Sequence, residues 1–199
     1  MREFAENGTL RSAYKIGGAR GGGVHLQYNL RPRFALRLGF HTFSRKSTGT
    51  FEAEVPHPFF LGRPRTVTGT QAGLGFHESA YSLTGAYRGG SGRWRWSVDG
   101  GPAVFAVSAT VAEKVAYGHV FPYDTATFSG ITSTRKKAAP IGVAAGVELV
   151  RDLSPSISVL AQARFNRGSG NLDVNGQKIS IKSGGAQARF GLRFVLLRR

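Results

Sequence analysis

Cysteine is absent from the 199 residues. That excludes a disulfide framework, a thiolate metal centre and a cysteine nucleophile. No stretch approaches the roughly 20 consecutive apolar residues of a transmembrane helix, so a helical membrane protein is excluded. A membrane β-barrel is not excluded, because its spans alternate apolar and polar residues and average out in hydropathy. An apolar leader is also missing at the start, where Met1-Arg2-Glu3-Phe4-Ala5-Glu6-Asn7-Gly8 offers no hydrophobic core for secretion. Acidic residues are scarce, 11 Asp and Glu against 27 Lys and Arg, for a net charge of +16. In a water-soluble protein that balance would point first to nucleic acid.

What is present is alternation, the period-2 pattern of β-strands. Between about Ser12 and Leu30, Tyr14, Ile16, Val24, Leu26, Tyr28 and Leu30 share one face, opposite small or polar residues such as Lys15, Gly21, Gly23, His25 and Gln27. Phe34, Leu36, Leu38 and Phe40 oppose Ala35, Arg37, Gly39 and His41. Tyr81, Leu83, Gly85 and Tyr87 oppose Glu78, Ala80, Ser82, Thr84, Ala86 and Arg88, and Trp94, Trp96 and Val98 oppose Arg95, Ser97 and Asp99. A parity slip is expected at Gly100-Gly101-Pro102, a bulge beyond which Phe105, Val107 and Ala109 carry the apolar face onward. Ile141 to Leu149, Ile157 to Phe165 and Ala186 to Leu196 complete the set, with Glu148, Arg164, Arg189 and Arg193 on their polar sides.

Short turns are expected at 29–33, 89–92 and 152–155, and long irregular loops at about 45–76, 109–139 and 166–184. Short turns on one rim and long loops on the other is the plan of an outer-membrane barrel, with each alternating stretch of about ten residues long enough to cross a bilayer at a tilt. A soluble β-sandwich alternates too. Two features favour the barrel. The non-greasy face is rich in Gly and Ala, which suit a narrow lumen better than a water-facing strand. The aromatic residues also gather at strand ends, Tyr28, Phe34, Tyr87, Trp94, Trp96 and Phe194 at one rim and Tyr14, Phe40, Tyr81 and Phe165 at the other, as interfacial belts do.

The fold expected is therefore all-β: one domain over 1–199, an antiparallel up-and-down transmembrane barrel of the eight-strand type. About seven strands are countable, whereas bacterial single-chain barrels have even numbers. The first strand is accordingly expected to be missing, with residues 1–11 a remnant of an external loop. The lumen would hold a polar network of Arg37, Glu78, Arg88, Asp99, Glu148, Arg164, Arg189 and Arg193, with Lys15 and Arg95 also inward. Unpaired charge there is costly, so Glu78, Asp99 and Glu148 are expected to pair with arginines.

The loop segments Val55-Pro56-His57-Pro58-Phe59-Phe60-Leu61-Gly62-Arg63-Pro64-Arg65-Thr66-Val67 and Phe121-Pro122-Tyr123-Asp124-Thr125-Ala126-Thr127-Phe128, with Gly100-Gly101-Pro102, carry a family likeness. On them the chain resembles the small outer-membrane β-barrel proteins of Gram-negative bacteria, the opacity-protein-like and OmpA-like group. The last strand, Arg189 to Leu196, is similar to the signal read by the barrel assembly machinery, with Gly191, Phe194 and Leu196 at its marked positions. Here it is followed by Leu197-Arg198-Arg199, whereas such proteins usually end at the aromatic residue. The resemblance implies fold and outer-membrane location and very little about activity.

Chemistry-bearing motifs are sparse. His25, His41, His57, His77 and His119 lack metal-ligand spacing, so no metal or cofactor is expected. His77 and Ser79 share an outward face and resemble the His-any-Ser pair of outer-membrane lipid A deacylases, but no carboxylate falls on a neighbouring outward face to complete a triad. Arg20-Gly21-Gly22-Gly23 and Arg93-Trp94-Arg95-Trp96 would hint at single-stranded nucleic acid in a soluble protein; lumen packing and the interfacial belt account for them. The expected role is non-enzymatic, a monomeric surface-interaction or structural protein whose partners are outer-membrane lipid and lipopolysaccharide. A narrow porin-like channel and a lipid A-modifying enzyme are the alternatives.

Overall fold

A computed structural model describes residues 2–3, 6–7, 9–15, 18–60, 62–174 and 177–196. The protein is all-β and antiparallel. A small pair, β1 (Arg2–Glu3) and β2 (Glu6–Asn7), stands apart from the main sheet. That sheet has nine strands: β3 (Leu10–Lys15), β4 (Gly21–Arg31), β5 (Phe34–Val55), β6 (Arg65–Ser91), β7 (Trp94–Val120), β8 (Thr125–Ala138), β9 (Ile141–Asp152), β10 (Ile157–Val174) and β11 (Gln177–Phe194).

Nine strands make seven passes, because two passes are interrupted. Both β3 and β4 pair with β5, and both β8 and β9 pair with β7. Pro140 sits at the second interruption, where it can donate no ladder hydrogen bond; its carbonyl still accepts from Phe105 N. The single strand expected over residues 12–30 is thus split. Leu10 and Arg11, expected in a loop remnant, belong to β3. Met1, Ile16, Gly17 and Arg198 lie outside the described residues.

Turns close one end of the sheet at 32–33, 92–93 and 153–156. At the other end the segments expected as irregular loops are mostly strand. β5 continues to Val55, β6 starts at Arg65, β7 and β8 pair from Val107↔Ala138 to Val120↔Thr125, and β10 and β11 pair through Val174↔Gln177. The hairpin arms simply carry on.

No bulge forms at Gly100-Gly101-Pro102. Pairing with β9 runs without a slip from Trp94↔Arg151 to Val104↔Ile141. Phe105 and Val107 therefore turn inward and are buried, not outward as expected. Gly101 has a different purpose: a Cβ there would lie 2.2 Å from the carbonyl oxygen of Leu83, so only glycine allows that approach.

The sheet curls until side chains of its first and last strands meet, yet it does not close. Among the described residues, β4 pairs only with β5 and β11 only with β10.

Candidate functional site

The inner and outer faces of this sheet change character along its length. On β5 the odd residues point inward from end to end. Near the turns, the inward set is Ala35, Arg37, Gly39 and His41, and the outward set is Phe34, Leu36, Leu38 and Phe40. Farther along, the inward set becomes Ser47, Gly49, Phe51, Ala53 and Val55, and the outward set Thr48, Thr50, Glu52 and Glu54. Parity is unbroken, so the strand has not rotated. Hydrophobicity has changed sides.

The turn-side half is polar within and apolar without. Leu26, Leu36, Leu83, Trp94, Val147 and Leu192 are among its exposed large hydrophobic residues. The hairpin half has an ordinary apolar core of Phe51, Ala53, Val55, Val67, Leu74, Ala112 and Val115. Tyr14 packs against it, 6.0 Å from the ring of Phe51, and its hydroxyl accepts from Ala112 N at 3.0 Å. Tyr14 thus leaves the outer belt to which it was assigned, and Lys15 is exposed.

Within the turn-side half lies a buried charge network. Arg37 Nη1 meets Asp99 Oδ1 at 3.0 Å and Arg37 Nη2 meets Glu148 Oε1 at 3.1 Å. Arg164 Nη1 meets the other oxygen of Asp99 at 3.1 Å. Arg193 reaches Glu148 at 2.5 Å, and Arg95 pairs with Asp152. Neutral groups complete the shell: Gln27 and Ser97 accept from Arg37, and Ser82 and Asn166 accept from Arg164. Alternation placed these arginines and acids on one face. The roles of Asp152, Ser82 and Asn166 were missed, although their inward parity was readable.

Three members of the expected network stand apart from the ion pairs. Glu78 meets no arginine among the described residues and instead accepts from Gly184 N at 3.1 Å. It sits four residues beyond Ser82, the level at which Arg164 is already engaged by Asp99. Arg88 donates to the carbonyls of Arg31 and Pro32 at the turn rim. Arg189 donates to Nε2 of His25 at 3.0 Å and to Gln187. Gly191, Phe194 and Leu196 are exposed along the free edge of the last strand and just beyond it.

Above the charges, Phe76, Ala80, Ala103, Phe105, Val107 and Ala144 form an apolar layer across the interior. A Cβ on Gly168 would stand 2.6 Å from the Phe105 ring, so the layer is packed against backbone.

His77 and Ser79 do come together: Ser79 Oγ lies 3.2 Å from His77 Nε2 and donates to Thr42 Oγ1 at 3.1 Å. No acidic partner of His77 is seen among the described residues. No cluster of metal-ligating side chains occurs among them either. At the hairpin tips, Arg65 donates to the carbonyls of Pro56, Tyr123 and Thr125 and reaches His119 Nδ1 at 3.2 Å, joining segments 55–67 and 121–128. Comparison with family models, curated proteins and solved structures finds no match to this chain.

Proposed function

We propose that the protein is an integral outer-membrane β-barrel of the eight-strand type, a divergent relative of the opacity-protein-like and OmpA-like group. The observation that carries this reading is the exchange of hydrophobicity along β5, a strand of constant parity. An apolar outer face around a charged interior is stable only where the surroundings are lipid. A polar outer face around an apolar core needs water. The outward apolar run spans nine residues on β9, Ile141 to Leu149, nine on β10, Ile157 to Phe165, and seven on β5, Phe34 to Phe40, against the roughly 9–11 a tilted strand uses to cross a bilayer. Tyr87 stands 5.4 Å from Phe34 and 6.0 Å from Trp96 near the turns, and Phe40 lies 5.0 Å from Tyr81 at the far edge of the band, two levels suited to the two interfaces.

On this reading the role is structural or surface-interacting. The polar network and the apolar layer above it cross the interior, which supports a plug over a channel; steady single-channel conductance in planar bilayers would favour the channel. The paired hairpins stand beyond the membrane, where they can meet lipopolysaccharide and external partners. The test is fractionation with heat-modifiable gel mobility. The protein is expected in the outer membrane, running faster unheated than boiled. A soluble product with one mobility overturns the reading.

A second reading rests on the 3.2 Å contact between Ser79 and His77 at the edge of the apolar band. A lipid A deacylase activity lost on His77→Ala would establish it.

A further inference from the structure

We propose that the gap between β4 and β11 is the seat of one further β-strand of the same polypeptide, antiparallel to both edges and carrying a carboxylate toward Arg189. The proposal rests on the barrel reading for the lipid outside the gap. Its first support is polarity. β4 runs toward the turn at 32–33, and β11 ends at Phe194 opposite Ile157, beside the turn at 153–156. The two edges therefore run the same way. An all-antiparallel sheet closes across them only through one strand running the other way.

The second support is space. Two strands that flank a third stand about 9–10 Å apart, too far for backbone pairing and within reach of long side chains. That is the observed relation: the backbones do not pair, while Arg189 meets His25 at 3.0 Å. A cavity of about 2190 Å³ runs beside both edges. Its rims carry heavily exposed residues of the apolar band, with Val24 69% and Phe190 85% exposed. In lipid, two unpaired strand edges are costly because their N–H and C=O groups have no water to bond.

The third support is charge. Asp99 and Glu148 are shared among Arg37, Arg164 and Arg193, and Asp152 is held by Arg95. Among the described residues Arg189, on the gap, hydrogen-bonds to His25 and Gln187 and makes no ion pair with an acid. A strand seated there completes the network if it brings an inward Asp or Glu. A second copy of this chain brings no carboxylate: its β11 edge would set Arg189 and Arg193 against the same cations, and its β4 edge offers only Gly23, His25, Gln27 and Asn29 on that face.

The experiment uses the full chain in detergent micelles and a labelled 11-residue peptide matched to the length of β4. The peptide alternates Val or Leu with Thr or Gly and has one central inward Asp; a control carries Lys instead. The Asp peptide is expected to bind roughly tenfold or more tighter than the Lys peptide and to slow amide exchange over residues 186–194. Arg189→Glu is expected to reverse the order, and the milder Arg189→Gln to abolish the preference. Absent binding, or equal binding of both peptides, overturns the proposal. So does a dimer that excludes the peptide, since the occupant is then a second copy. Failure of the protein to enter vesicles would instead overturn the barrel reading, whatever the peptides do.

Discussion

Asp99 is the residue on which the interior turns. Its two oxygens hold Arg37 and Arg164, both almost fully buried. Asp99→Ala would leave Arg164 with only the neutral Ser82 and Asn166 and Arg37 with Glu148 as its one acid, and removing one partner of a buried pair costs about 3–5 kcal/mol. Urea unfolding of folded protein in lipid is expected to show a loss of that size, with Asp99→Asn losing less. Phe105 caps the network and has no solvent exposure. Phe105→Ala is expected to destabilise by about 3–5 kcal/mol through the cavity it opens, measured in the same way. Inward parity is legible for Arg37, Asp99 and Arg164, whereas the expected bulge put Phe105 on the wrong face. Which arginine meets which acid is not legible, because the partners come from strands up to 111 positions apart. Glu78 illustrates the gap: its face could be read, its height relative to Arg164 could not.

At the scale of the element, the long hairpins are the main departure from expectation. The alternation of Phe51, Ala53 and Val55 with Thr50, Glu52 and Glu54 is as regular as any in the chain. It was passed over because its apolar residues fall on the inward parity, opposite to the rest of β5. The same assumption, that the greasy face always points outward, turned Gly100-Gly101-Pro102 into a bulge. β7 and β8 also carry a titratable tie. Glu113 bonds to Thr134 and to Lys136, the latter at 3.4 Å, and these hold its carboxyl below the usual glutamate value. A depressed carboxylate adds stability above its unfolded value and loses it as pH falls through the folded one. Amide exchange in this hairpin is therefore expected to speed up on acidification below the ordinary glutamate range, and Glu113→Gln to remove that pH dependence. Arg65→Ala is expected to raise exchange at the tips near Pro56 and Tyr123 while leaving the turn-side half unchanged.

For the whole molecule, the two-zone distribution of hydrophobicity sets the surroundings the protein needs. Trp94 and Trp96 lie on the outer face near the turns. Lipids brominated near the headgroup are expected to quench their fluorescence strongly, and lipids brominated at the chain ends weakly. Absence of quenching by either would remove the apolar band from the membrane. Arg151 over the Trp94 ring at 5.4 Å is placed to meet phosphate at that interface. On the barrel reading, the +16 charge divides between cations at the two rims and an interior richer in arginine than in acid.

The sequence by itself determined that the chain is all-β, where its short turns fall, and which residues share a face, because strand periodicity and turn chemistry are local. It also announced charges on the face opposite the greasy one near the turns. Only the tertiary structure decided that hydrophobicity changes sides along β5, that Gly101 marks a close backbone approach and not a bulge, and that nine strands leave one gap. Those facts depend on which strands lie beside one another and on what surrounds each half. Contacts between distant residues set both, and no local pattern records them.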